Sequence, residues 1–139
     1  MRDRVVRVIL IVLGVGNIGI GAWAAFGPRS FYDDFPGFGR HWVRVDGPYN
    51  EHLVRDFGAL SLALAVVTIA AAIVLARPLV IAVAIAWLAW GVPHLVYHSR
   101  HLDVFDTSDQ ILNIVLLAVL PVLALVVLVL ELRRPAQEA

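Results

Sequence analysis

Three histidines, His94, His98 and His101, close a long apolar stretch near the middle of the chain. Their spacing, i, i+4 and i+7, puts all three imidazoles on one face of a helix that continues through them. Neutral imidazole is the commonest protein ligand for transition metals and titrates near neutral pH. His94 and His98 have chelate spacing on a helix. His52 and Asp56 form a second i, i+4 pair, in which a carboxylate fixes the tautomer of an imidazole and raises its basicity. With Glu51 and His101 added, the candidate metal ligands are His94, His98, His52, Asp56, Glu51 and His101. Trp87 and Trp90 precede His94 by seven and four residues and share its face. Together with Asp56, Tyr97 and Asn113 they make the candidate ligand-binding set.

These residues need elements that hold them at one place. The chain has 139 residues, 60% of them hydrophobic, with a mean hydropathy of +0.83. Soluble domains average roughly 45 to 50% apolar residues, so a water-soluble core cannot hide this surface. Four spans, at about 5–26, 52–76, 78–97 and 109–132, account for the excess. Each has roughly the 20 residues that cross a bilayer core as helix. The expectation is an all-α, single-domain, four-helix antiparallel membrane bundle over residues 1–139, with an extracytoplasmic aromatic loop at 27–50. The first span follows Arg2, Arg4 and Arg7 but is too long for a signal-peptide core and ends without a small-x-small pattern, which predicts a retained helix.

If Arg77 and Pro78 form a tight hairpin turn, depths on the flanking helices can be matched about it. Asp56 then lies level with His98, and His94 level with Ser61. His52, Asp56, His94, His98 and His101 come to the same end of one helical pair, beside Asp103. Ionisable groups inside a membrane are costly and mark function, which makes Asp56 and His94 the pair to watch.

Charge is balanced overall, with 11 basic and 11 acidic residues, but unevenly placed. Arg2, Arg4, Arg7, Arg77, Arg133 and Arg134 face Asp3, Glu131 and Glu138 at one end; five arginines face eight acids at the other. The positive-inside rule then puts both termini in the cytoplasm, with the bacterial cytoplasmic membrane as location. There is no basic stripe for nucleic acid. Cysteine is absent, which excludes disulfides and thiol redox centres. All the basic residues are arginine, which excludes lysine Schiff-base chemistry.

The loop at 27–50 carries Phe31, Tyr32, Phe35, Phe38, Trp42 and Tyr49 among Gly and Pro. It reads as an interfacial segment, or as a lid contributing His41, Asp33 or Asp34. The second helix starts near Pro48, Tyr49 and Asn50, with Asn50 as cap. Thr107, Ser108, Asp109 and Gln110 fit a capping box for the fourth, with Thr107 or Ser108 as cap. Pro121 predicts a kink in that helix. In the first span, Gly14, Gly16, Gly19 and Gly21 surround Asn17, a face suited to close helix approach with an interhelical hydrogen bond. The same residues match GxGxxG, but no strand, turn and helix unit surrounds them, so a dinucleotide site is rejected.

Two stretches, Gly47 to Gly58 and Gly91 to His101, together with the four spans, resemble small bacterial membrane proteins of the DoxX-like type. The resemblance implies a four-helix bundle, in some cases linked to quinone-coupled oxidation. The HxxxH and HxxH spacings are also similar to the histidine boxes of membrane di-iron desaturases, for which five histidines are too few. Haem needs opposed axial ligands, which one-face clustering does not supply. The candidate cofactors are a transition metal first, with haem or a quinone after it. The leading expectation is an extracytoplasmic His/carboxylate pocket binding a metal, quinone or other small ligand, as a redox component. One alternative is an accessory subunit docking a larger membrane complex, or a homo-oligomer, through the glycine face and aromatic loop. The other is a proton-transfer enzyme on a lipid, with His94 or Asp56 as acid or base.

Overall fold

In lipid a backbone must satisfy its own polar groups, and an apolar run of membrane length does so as helix. The computed structural model describes residues 1–134; Glu138, counted in the tail charge above, lies outside them. In chain order the elements are α1 (Arg2–Phe26), α2 (Pro28–Asp34), β1 (Pro36–Gly37), β2 (Arg40–His41), α3 (Trp42–Asp46), α4 (Glu51–Val74), α5 (Arg77–Ser99) and α6 (Thr107–Leu132). Helices α1, α4, α5 and α6 are long and apolar enough to cross a membrane. At most 33% of each apolar window is buried inside the protein, so most of each apolar window lies on the outside of the molecule.

Helices α1 and α4 pack most intimately, and α5 packs on α6; α4 meets α5, and α1 meets α6, more lightly. The α1–α4 pair is antiparallel, with Gly14 against Ile69, Asn17 against Ser61 and Gly21 against Gly58. At Gly58 a Cβ would lie 2.3 Å from the Ala25 backbone nitrogen. Only glycine permits that approach. Asn17 Nδ2 donates to Ser61 O at 2.7 Å, the interhelical bond that the sequence suggested. Gly16 and Gly19 take no part, since nothing lies within 4 Å of a Cβ built on either. The glycine face nominated for external docking is therefore half spent inside the protein.

Each helix of this pair also closes the other's end. Arg7 Nε donates to Ala72 O at 3.1 Å, and Arg55 donates to Ala25 O at 2.5 Å. Both acceptors belong to last-turn carbonyls that have no partner within their own helix. A cation there also suits the negative end of the helix dipole.

Several local expectations shift. The turn between α4 and α5 is Leu75 and Ala76, with Leu75 left-handed at φ 54°; Arg77 and Pro78 already belong to the first turn of α5. Asn50 does cap α4, accepting from Leu53 N at 3.1 Å, but Pro48 precedes the helix. The cap of α6 is Asp106, one residue ahead of the two candidates, because its carboxylate accepts from Asp109 N at 2.9 Å. Gln110 does reach back, but as a donor to Phe105 O at 3.0 Å, not as the acceptor from the cap's N–H that a capping box requires. Helix α6 runs on through Pro121, beside which Gly91 of α5 leaves room: a Cβ there would meet the proline ring at 3.3 Å.

The segment 27–50 is not a plain loop. Helix α2, the short β1–β2 ribbon and α3 fold back on the ends of α1 and α4, burying Phe31, Tyr32 and Trp42. Tyr32 donates to Gly47 O at 2.6 Å. Arg40 reaches across to Asp109 and Ser108 in the first turn of α6. Phe38, between Gly37 and Gly39 at positive φ, is left fully exposed at the ribbon tip.

Candidate functional site

The buried face of α5 runs through Val80, Val83, Ala84, Trp87 and Gly91. His94 and His98 continue it at i+3 and i+7 from Gly91, and both are half-buried. A column of rings results. Trp87 and Trp90 meet edge to face at 5.8 Å, the His94 ring stacks on Trp90 at 4.8 Å, and His98 meets His94 at 4.7 Å. Tyr97 continues to His101, stacked at 4.2 Å. At the inner end Trp87 Nε1 donates to Thr68 Oγ1 at 3.0 Å, and Thr68 in turn donates to Leu64 O at 2.6 Å. The two tryptophans expected to underlie the imidazoles do so.

The folded-back segment joins this column. Phe57 of α4 lies 6.5 Å from Trp90 and 5.8 Å from Phe31. From Phe31 the rings pass to Phe35, Trp42 and Phe105.

His52 and Asp56 are not part of it. The hairpin arithmetic holds in depth, as the Thr68–Trp87 bond across the two helices shows, but it says nothing about rotation. Asp56 is two residues from both Val54 and Gly58, which face inward, and two residues turn a helix by about 200°. The His52–Asp56 pair does form, at 3.3 Å, yet the side chains are 85% and 58% exposed. Glu51 is likewise occupied, bonding Arg55 at 2.8 Å. His101 is exposed and bonds Tyr97 O at 2.7 Å through Nδ1. The six-residue metal set is thus scattered over two faces, and no group of three or more His, Asp or Glu side chains among the described residues is arranged to hold a metal ion.

The carboxylate that the fold brings to the histidine end of α5 is Asp46, from α3, whereas Asp56 is largely exposed. Asp46 Oδ1 lies 3.5 Å from the Tyr97 hydroxyl. Sequence reasoning missed Asp46, because only the fold of the aromatic segment carries α3 to the end of α5. The lid candidates are internal ties. His41 Nδ1 contacts Asp33 O at 2.5 Å, and Asp33 bonds Arg29 at 2.7 Å, which raises the pKa of the guanidinium. Asp34 and Asp103 are exposed.

Among the described residues, four polar atoms in this half of the molecule are buried without a hydrogen-bond partner: His98 Nδ1, Asn113 Oδ1, Trp42 Nε1 and Asp109 Oδ1, the last of them ion-paired with Arg40. Asn113 itself is 2% exposed. The first two lie at one height. Gly91 touches Pro121; His98 is seven residues beyond Gly91 and Asn113 eight before Pro121, about 10.5 Å and about 12 Å along antiparallel axes. An unsatisfied buried polar group costs about 1–3 kcal/mol. The arrangement therefore offers flat ring faces with the partnerless His98 Nδ1 among them and Asn113 Oδ1 at the same height. Neither a protein family, nor a curated protein, nor a solved structure matches this chain.

Proposed function

We propose that the protein is a four-helix antiparallel bundle of the bacterial cytoplasmic membrane, with both termini inside, whose outer end binds a flat, carbonyl-bearing small molecule of the quinone class. Four apolar helices support the membrane setting, and the arginines of α1, the start of α5 and the end of α6 support the orientation. The observation that carries the ligand reading is the ring column of Trp90, His94 and His98 with its partnerless His98 Nδ1, and the partnerless Asn113 Oδ1 at the same height. A quinone carbonyl accepts from an imidazole N–H, and a quinol hydroxyl donates to a carbonyl oxygen. Both oxidation states therefore find a partner in this pair. Ring faces supply stacking, and the surrounding apolar helices suit a lipid-soluble molecule. The resemblance of Gly47–Gly58 and Gly91–His101 to DoxX-like proteins points the same way. A chelated metal is no part of this reading, since His52, Glu51 and Asp56 face away from the imidazoles.

Titration of the protein in lipid nanodiscs with menadione, read by quenching of tryptophan fluorescence, tests the proposal. Saturable quenching is expected, with His98→Ala and Asn113→Leu each weakening it about tenfold, the effect of one lost hydrogen bond of about 1.4 kcal/mol. His52→Ala should bind as the wild type. Quenching without saturation, or with equal affinity in all four proteins, would overturn it.

A further inference from the structure

At the opposite, arginine-rich end, a groove of about 410 Å³ opens between α1 and α4, lined by Arg7, Ile11, Ile69, Ala72 and Ile73. Its walls are otherwise aliphatic, and Ile11 and Ile73 are 43% and 71% exposed. The groove therefore faces the surroundings of the helices and not the protein core. Its floor exists because Gly14 carries no side chain: Ile69 Cδ1 lies 2.6 Å from where a Cβ would stand.

The charge at its mouth is unbalanced. Arg7 uses only Nε, on Ala72 O, so both terminal nitrogens make no hydrogen bond among the described residues. Helix alternation brings Arg2, Arg4, Arg7, Arg77, Arg133 and Arg134 to this end. Asp3 pairs with Arg2, and Glu131 with Arg134. Arg4, Arg7, Arg77 and Arg133 have no carboxylate partner among the described residues. Guanidinium forks match phosphate oxygens geometrically, and basic pockets at this side of membrane helices suit anionic headgroups. We infer that the α1–α4 groove seats one acyl chain of an anionic phospholipid, whose phosphate is held by the free terminal nitrogens of Arg7 with Arg4 one turn away. An aliphatic channel ending at an unpaired cation complements a molecule with an apolar tail and a negative head; zwitterionic lipid lacks the net charge.

Native mass spectrometry of detergent-purified protein, supplied with equal amounts of dioleoylphosphatidylglycerol and dioleoylphosphatidylcholine, tests this. The wild type is expected to retain the anionic lipid at least fivefold over the zwitterionic one. Arg7→Gln should erase about fivefold of that retention, the effect of one cation near an anionic surface. Because Arg7 also caps α4, a second variant is needed that leaves it in place. Ile11→Trp fills the groove and should lower retention by a similar factor with unchanged circular dichroism. Equal retention of the two lipids means general annular lipid only, and equal protection by inorganic phosphate means an ion site only. Either result, or unchanged retention in Ile11→Trp, overturns the assignment.

Discussion

Gly58→Ala puts one methyl group where the two most intimately packed helices touch. That Cβ would lie 2.3 Å from Ala25 N, 2.8 Å from Ala25 Cα and 2.8 Å from Gly21 O. All three are backbone atoms, so no rotamer change relieves the clash. Ordinary contact begins near 3.4 Å, and α1 must therefore retreat from α4 by about 1.1 Å, that is 3.4 − 2.3. The same shift would stretch the Asn17–Ser61 bond from 2.7 Å towards about 3.8 Å, beyond hydrogen-bond range. Overpacking costs about 1–3 kcal/mol, and an interhelical bond in a membrane is worth about 0.6–1.7 kcal/mol. A loss of about 2–5 kcal/mol is expected, a large part of a typical total of about 5–15 kcal/mol. Phe57, next to Gly58, carries the contact to Trp90, so tryptophan emission should change too. Equilibrium unfolding in mixed detergent micelles, followed by circular dichroism, measures the loss, with Gly16→Ala as the control because its Cβ meets open space. Should Gly58→Ala unfold within about 0.5 kcal/mol of that control, the close-approach argument is refuted.

Asn17→Ala, in the same unfolding assay, should lose about 0.6–1.7 kcal/mol; wild-type stability would mean that the 2.7 Å bond contributes nothing. A double-mutant cycle on Trp87→Phe and Thr68→Val should give a coupling near 1 kcal/mol, since each change removes one end of a buried bond; additive effects would contradict that.

Legibility differed by element. The four long helices were readable because apolar runs of membrane length have only one backbone solution in lipid, and Asn50 as a cap followed from its position before Glu51. The cap of α6 was misplaced by one residue because Asp106, Thr107 and Ser108 all carry suitable oxygens, and only the bond to Asp109 N separates them. Within the site, Trp87, Trp90, His94 and His98 were legible from spacing on a single helix. His52 and Asp56 were matched in depth correctly and in facing wrongly, for a register fixes height but not which side of α4 meets α5.

By itself, then, the sequence determined how many long apolar helices there are, roughly where they run, and which residues share a face of α5. These are local properties, set by hydropathy, capping chemistry and the helical repeat. Tertiary structure alone decided that Asp46 and not Asp56 comes to the histidine end of α5, that half of the glycines of α1 are spent on α4, and that His98 and Asn113 share one level without partners. Those outcomes depend on how rigid helices rotate about their axes and on how the 27–50 segment folds back. Packing complementarity between distant surfaces settles both, and no short spacing along the chain encodes it.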